Sequence, residues 1–191
     1  MSDRLQTVLT AIDTANAADP TQEDGRPAAQ LYGERMTAEL RRLFPDASEP
    51  LQIAARGQHI ERWLLPRKDY PEGRNGYLEW RKEQGRRHGV RLADMMAEAG
   101  YSQDEQAQVG TMLRKEGIKR DPQVQALEDV ICFTFLKWYF HPFAGTQSTE
   151  AVEKIVIRTA RKMSVEGRAR VLREFDLPAR SPQHLPVKMI V

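Results

Sequence analysis

Residues 121–138, DPQVQALEDVICFTFLKW, combine a complete helix start with an apolar stripe that needs a partner surface. Asp121 is placed to cap the first turn, and Pro122 stands at the first helical position, where its missing N–H costs nothing. Val124, Leu127, Ile131, Phe135 and Trp138 then follow at steps of three and four residues, one face of a helix. A helix of this length is marginal alone in water, so the stripe must be buried against neighbouring elements. Alternating strand patterns are nearly absent from the rest of the chain, so those neighbours are helices too. The expected fold is all-α, a single-domain helical bundle over residues 1–177, followed by an extended Pro-rich tail over 178–191.

The other helices are read from the same signals. Leu5, Val8, Leu9 and Ile12 form a first stripe behind Ser2, ended by the loop ADPTQEDGRP. A second helix covers about 28–43, and a third starts at Ser48 with Pro50 in its first turn and is expected to continue to about 65. PRKDYPEGRNGY is the one long central loop and carries Arg67 and Arg74. A long helical stretch follows over 77–99, weakened at Gly85 and Gly89; Gly100 stops it, and Ser102 with Glu105 forms a capping box for the next. Two shorter helices fall at about 149–162 and 164–175. Lys162-Met163-Ser164 reads as a last-turn lysine, a core methionine and the cap of the final helix, not as a synthetase KMS loop, which would need a parallel nucleotide-binding sheet.

With 191 residues the chain is long enough to bury a core without disulfides or structural zinc. Cys132 is the only cysteine and lies in an apolar run, and no cleavable leader precedes the first helix, so a reducing cytoplasm is expected. The longest apolar run, 130–136, is far short of a membrane span. A formal net charge of +2 says little, but its distribution says more. Between Arg56 and Arg91 ten Lys and Arg face five acids, an excess that favours an anionic partner.

The stretch ARGQHIERW, 55–63, reads as one piece of helix in which Leu51, Ala55, His59 and Arg62 share a face, so that His59 interrupts an apolar side. His88 does the same, with Leu92, Met95 and Ala99 on one side of it and Gln84, Arg81 and Tyr77 on the other. Glu128 and Asp129 adjoin the buried run VICFTFL, where an unpaired carboxylate is costly. Two inward histidines and a buried-helix acid are a candidate functional site, and as donors they suit one divalent ion such as Mn, Fe or Zn. The candidate catalytic groups are His59, His88, Glu128 and Asp129, and the candidate metal ligands are His59, His88 and Asp129. Arg62, Arg67, Arg74, Arg81, Lys115 and Lys119 are the candidate anion-binding side chains.

Taken together, TANAADP, ARGQHIERW, PRKDYPEGRNGYLEWR, GYSQDEQAQV and LEDVICFTFL resemble the domain-of-unknown-function family 4202 over nearly the whole chain except its tail. More distantly, the helix order is similar to the HD superfamily of metal-dependent phosphohydrolases. That resemblance implies an HD-like fold, with His59 at the first histidine position and Asp129 at the last aspartate. The chain departs in the middle: His88 is followed by Gly89 instead of an aspartate, and in the alternative register Trp80 and Arg81 replace two ligands, with Lys115 where a further histidine would lie.

Two functions follow as expectations. One is an HD-like hydrolase of a small phosphorylated or otherwise anionic metabolite with a degenerate metal site, holding at most one ion. The other is a metal-free anion or nucleotide-binding module on the same fold. The expected partner is a small anionic ligand. A membrane is not expected, and neither is nucleic acid, since RKEQGRRHGVR lacks interleaved aromatics. A homo-oligomer stays open.

Overall fold

The computed structural model describes residues 2–175, and the proposed tail segment 178–191 lies outside them. The described chain is all-α apart from one two-stranded ribbon, and it divides into two compact units, one up to Gly117 and one from Ile118.

The first unit opens with α1, Asp3–Asn16, whose first turn is capped by the Ser2 hydroxyl accepting from the Leu5 N–H at 3.2 Å. Its face of Leu5, Val8, Leu9 and Ile12 is buried as the spacing requires. The antiparallel ribbon β1, Gln22–Glu23, and β2, Arg26–Pro27, leads into α2, Ala28–Leu43. The buried Asp19 carboxylate accepts from the Thr21 and Ala29 N–H groups, both at 2.9 Å, which ties the ribbon to the start of α2.

After α3, Glu49–Arg56, come two 3₁₀ turns, Arg62–Leu64 and Arg67–Asp69, then α4, Gly73–Glu98, and α5, Gln103–Arg114. The capping box of Ser102 and Glu105 is present in full. α4 and α5 share the most extensive interface of the unit, and Gly85 is what lets them close. A Cβ at Gly85 would lie 2.8 Å from the Leu113 carbonyl oxygen. The glycine expected to weaken this helix is therefore a packing position, and α4 runs unbroken through it.

The third helix is shorter than its sequence pattern suggests. It ends at Arg56 and not near 65: Gly57 caps it, pressed against Leu92, whose methyl carbons lie 2.6 and 2.7 Å from where a Cβ would sit. The Ile60 N–H turns back to the Gly57 carbonyl at 2.9 Å, and Glu61 takes a left-handed conformation with φ of 49°. That conformation is costly for a side chain with a Cβ. Its N–H is held at 3.0 Å by Oδ1 of Asn16, a buried residue at the end of α1. His59 thus stands on a turn, and the helical stripe through Leu51 and Ala55 does not extend to it.

The second unit contains α6, Pro122–Thr134, a π turn Phe135–Tyr139, α7, Phe140–Gly145, α8, Thr149–Lys162, and α9, Val165–Glu174. Asp121 caps α6 through the Gln123 and Val124 N–H groups at 2.8 and 3.2 Å, as expected. The stripe is less regular than its spacing: Val124 and Leu127 are buried, whereas Ile131, Phe135 and Trp138 are half-buried. The π turn shifts the register at this point. Pro142 cannot donate to the 138 carbonyl, and its ring would crowd it in a regular helix, so the widened turn relieves the clash.

Candidate functional site

Five of the basic side chains singled out from the sequence gather in the first unit. His59 lies flat against Tyr32 of α2, ring centroids 3.7 Å apart and planes 17° from parallel. Arg62, three residues on, places its guanidinium over the Trp80 indole at 4.5 Å. Trp80 is fixed in turn by its Nε1–H donating to the Leu65 carbonyl at 2.9 Å. The Gln84 amide donates to the carbonyls of Arg62 and Leu65 at 2.9 and 3.0 Å, which pins the 3₁₀ turn carrying Arg62 onto α4. Arg81 reaches the Tyr77 hydroxyl at 3.5 Å and stands 5.8 Å from the ring.

The buried side of α4 runs Trp80, Gln84, His88, Leu92 at steps of four, so His88 faces inward as expected. It is 4 % exposed, and its ring hydrogen-bonds the main chain of Gln58, next to His59. Among the described residues its Nε2 has no hydrogen-bond partner, nor does the buried Gln58 Oε1.

The electrostatics bind these groups into one cluster. Burial, then the charge of Arg62, pushes His88 down to about 3. His59 is driven well below the ordinary histidine range by burial first, then by Arg62, His88, Lys115 and Arg81. Burial, reinforced by Arg81, also lowers the Arg62 guanidinium. Both imidazoles are therefore neutral at physiological pH, and the arginines carry the charge. Among the described residues no carboxylate pairs with Arg62 or Arg81; the nearby Glu61 turns to Arg91 at 3.2 Å.

The remaining sequence candidates lie elsewhere. Arg67 donates to the main-chain carbonyls of Tyr70 and Pro71 at 2.8 Å and holds the loop before α4. Arg74 is exposed in the first turn of α4. Lys119 is exposed in the second unit, whereas Lys115, the half-buried left-handed residue ending α5, is the fifth member of the cluster through its charge on His59.

Asp129 and Glu128 belong to α6 in the second unit. The Ser164 N–H and hydroxyl donate to the two Asp129 oxygens at 2.9 and 2.5 Å, and the Gln125 amide donates at 3.1 Å. Asp129 thereby anchors the start of α9, where Gly167 packs on it so closely that a Cβ would lie 2.9 Å from Oδ2. Its pKa is raised by burial against those hydrogen bonds. Glu128 is buried, with the Lys162 ammonium 3.8 Å away. Among the described residues no three His, Cys, Asp or Glu side chains gather as metal ligands.

Tyr32, Gln58, Trp80 and Gln84 belong to the cluster but were not singled out as site residues by the sequence. The repeat Trp80, Gln84, His88 at steps of four could have pointed to two of them, whereas nothing local to Tyr32 or Gln58 signals their part.

What the fold defines is an all-α protein with a cluster of cationic and aromatic side chains in its first unit. The chain belongs to the family described as domain of unknown function DUF4202, whose model matches residues 6–184. Searches of curated proteins and of solved structures find no match. Among the described residues no helix is long and apolar enough to cross a membrane.

Proposed function

We propose that this protein is an anion-binding module whose first unit takes a small phosphorylated metabolite without a metal ion. The observation that carries this reading is Arg62, a half-buried guanidinium seated on Trp80 with Arg81 close enough to repel it and, among the described residues, no carboxylate paired to either. Desolvating a cation costs several kcal/mol unless a counter-charge offsets it, and a bound phosphate supplies one. A phosphate also suits guanidinium geometry, which offers paired N–H donors. Lys115 adds charge, and neutral His59 gives a ring wall backed by Tyr32.

The HD-like hydrolase reading asks for a divalent ion at His59, His88 and Asp129. The donors do not fit one. His59 stands among cations that would repel a metal, and both Asp129 oxygens already accept hydrogen bonds that hold the start of α9. No catalytic step is assigned to Glu128 or Asp129. A cytoplasmic setting suits the single, buried thiol of Cys132.

Thermal unfolding of chelator-treated protein in rising inorganic phosphate tests the reading. The midpoint should climb with phosphate but not with chloride at equal ionic strength, and Arg62→Ala and Arg81→Ala should each blunt the rise. Equal responses to the two salts would refute it.

A further inference from the structure

The cationic cluster contains two buried atoms that an ionised phosphate cannot satisfy. Among the described residues His88 Nε2 and Gln58 Oε1 are both shut off from solvent without a partner, and the His88 ring hydrogen-bonds the Gln58 main chain, so the two residues are neighbours. Buried polar atoms are almost always hydrogen-bonded, so orphans on two neighbouring residues of the cluster call for a missing partner. With its other nitrogen spent on the Gln58 carbonyl, a neutral His88 offers Nε2 as a bare lone pair, and Gln58 Oε1 is a carbonyl oxygen. Both accept. A fully ionised phosphate only accepts as well and would be repelled from them, while Arg62, Lys115 and Arg81 attract it. The site has a donor-rich part for the anion and an acceptor pair for something else.

We infer that the ligand is a phosphate ester of a hydroxylated compound, with the phosphate on Arg62 and its cationic neighbours, one ligand hydroxyl donating to His88 Nε2 and Gln58 Oε1 open to a second. This rests on the anion-site reading above and adds the substrate class. A sugar phosphate and a nucleoside monophosphate share this chemistry. The metal alternative for a bare imidazole nitrogen is disfavoured by the surrounding cations.

The test is calorimetric titration of the full chain at pH 8, where the phosphate monoester, with a second pKa near 6, carries no proton to donate. The probes are ethyl phosphate, ribose 5-phosphate and adenosine monophosphate. Ribose 5-phosphate should bind about tenfold more tightly than ethyl phosphate, the worth of one good hydrogen bond to a buried acceptor. His88→Leu should erase that advantage while leaving ethyl phosphate affinity within about twofold, and Gln58→Leu, at a half-buried position, provides the same comparison if the His88 variant does not fold. Tighter binding of adenosine monophosphate than of ribose 5-phosphate would identify a nucleotide, and equal binding a sugar phosphate. Equal affinities for ethyl phosphate and ribose 5-phosphate would overturn the inference and leave the anion site standing. No binding of any of the three would overturn both. Nitrogen-15 spectra of the unliganded imidazole give an independent check: His88 Nε2 must be bare, and a protonated or hydrogen-bonded Nε2 refutes the proposal.

Discussion

Replacing Arg62 with methionine keeps an unbranched stem against the Trp80 indole and removes the charge. The loss to folding is the cation–π contact at 4.5 Å, about 0.5–2 kcal/mol. Against it stands the release of a desolvated cation that Arg81 repels. The two nearly cancel, so the stability of the unliganded protein should change by no more than about 1 kcal/mol. Anion binding has no such compensation. Loss of a charge-assisted hydrogen bond costs about 1.5–3 kcal/mol, which weakens phosphate binding roughly ten- to a hundred-and-fifty-fold. Calorimetric titration with inorganic phosphate reads that change. A second readout belongs to this geometry alone: the charge of Arg62 is the largest influence after burial on both His59 and His88, so both histidines should titrate higher in Arg62→Met. Unchanged phosphate affinity together with unmoved histidine titrations would refute the reasoning.

Three further outcomes are expected. His88 has a folded pKa of about 3 against an ordinary value near 6.5, so below pH 6.5 the unfolded chain takes up the proton first; stability should fall by up to about 1.4 kcal/mol per pH unit down to about pH 3, and chemical denaturation across that window should show the slope flattened in His88→Leu. Asn16→Leu removes the acceptor that holds the left-handed Glu61, costing about 1–3 kcal/mol and loosening the turn that presents Arg62, so phosphate affinity should fall with stability; unchanged affinity would mean that the turn is held elsewhere. Asp129→Leu leaves the Ser164 N–H and hydroxyl without their acceptor and should cost about 1–3 kcal/mol while phosphate affinity holds; lost affinity in a folded variant would return Asp129 to the ligand set.

The caps and apolar stripes were legible because they are local. Ser2, Ser102, Asp121 and Ser164 each cap the helix that the sequence assigns them. The end of α3 was not legible, because the turn that follows it is held by contacts across 35 and 45 positions, Leu92 against Gly57 and Asn16 on the Glu61 N–H. His59 was placed inward by a helical argument that does not hold, yet the turn puts it against Tyr32 and among the cations that the charge distribution pointed to. The buried carboxylate Asp129 was recognised as needing a partner, and that partner is the N–H and hydroxyl of Ser164, which capping logic had already put at the start of α9. Arg67 illustrates the limit of composition: its charge counts towards the basic segment, but its donors are spent on the carbonyls of its own loop.

The central claim is a metal-free anion site centred on Arg62, and a calorimetric titration of chelator-treated full-length chain with inorganic phosphate tests it most directly. The account predicts one saturable site per chain, weakened about ten- to a hundred-and-fifty-fold in Arg62→Met. Binding that appears only after manganese, iron or zinc is restored, and survives in Arg62→Met, would contradict it.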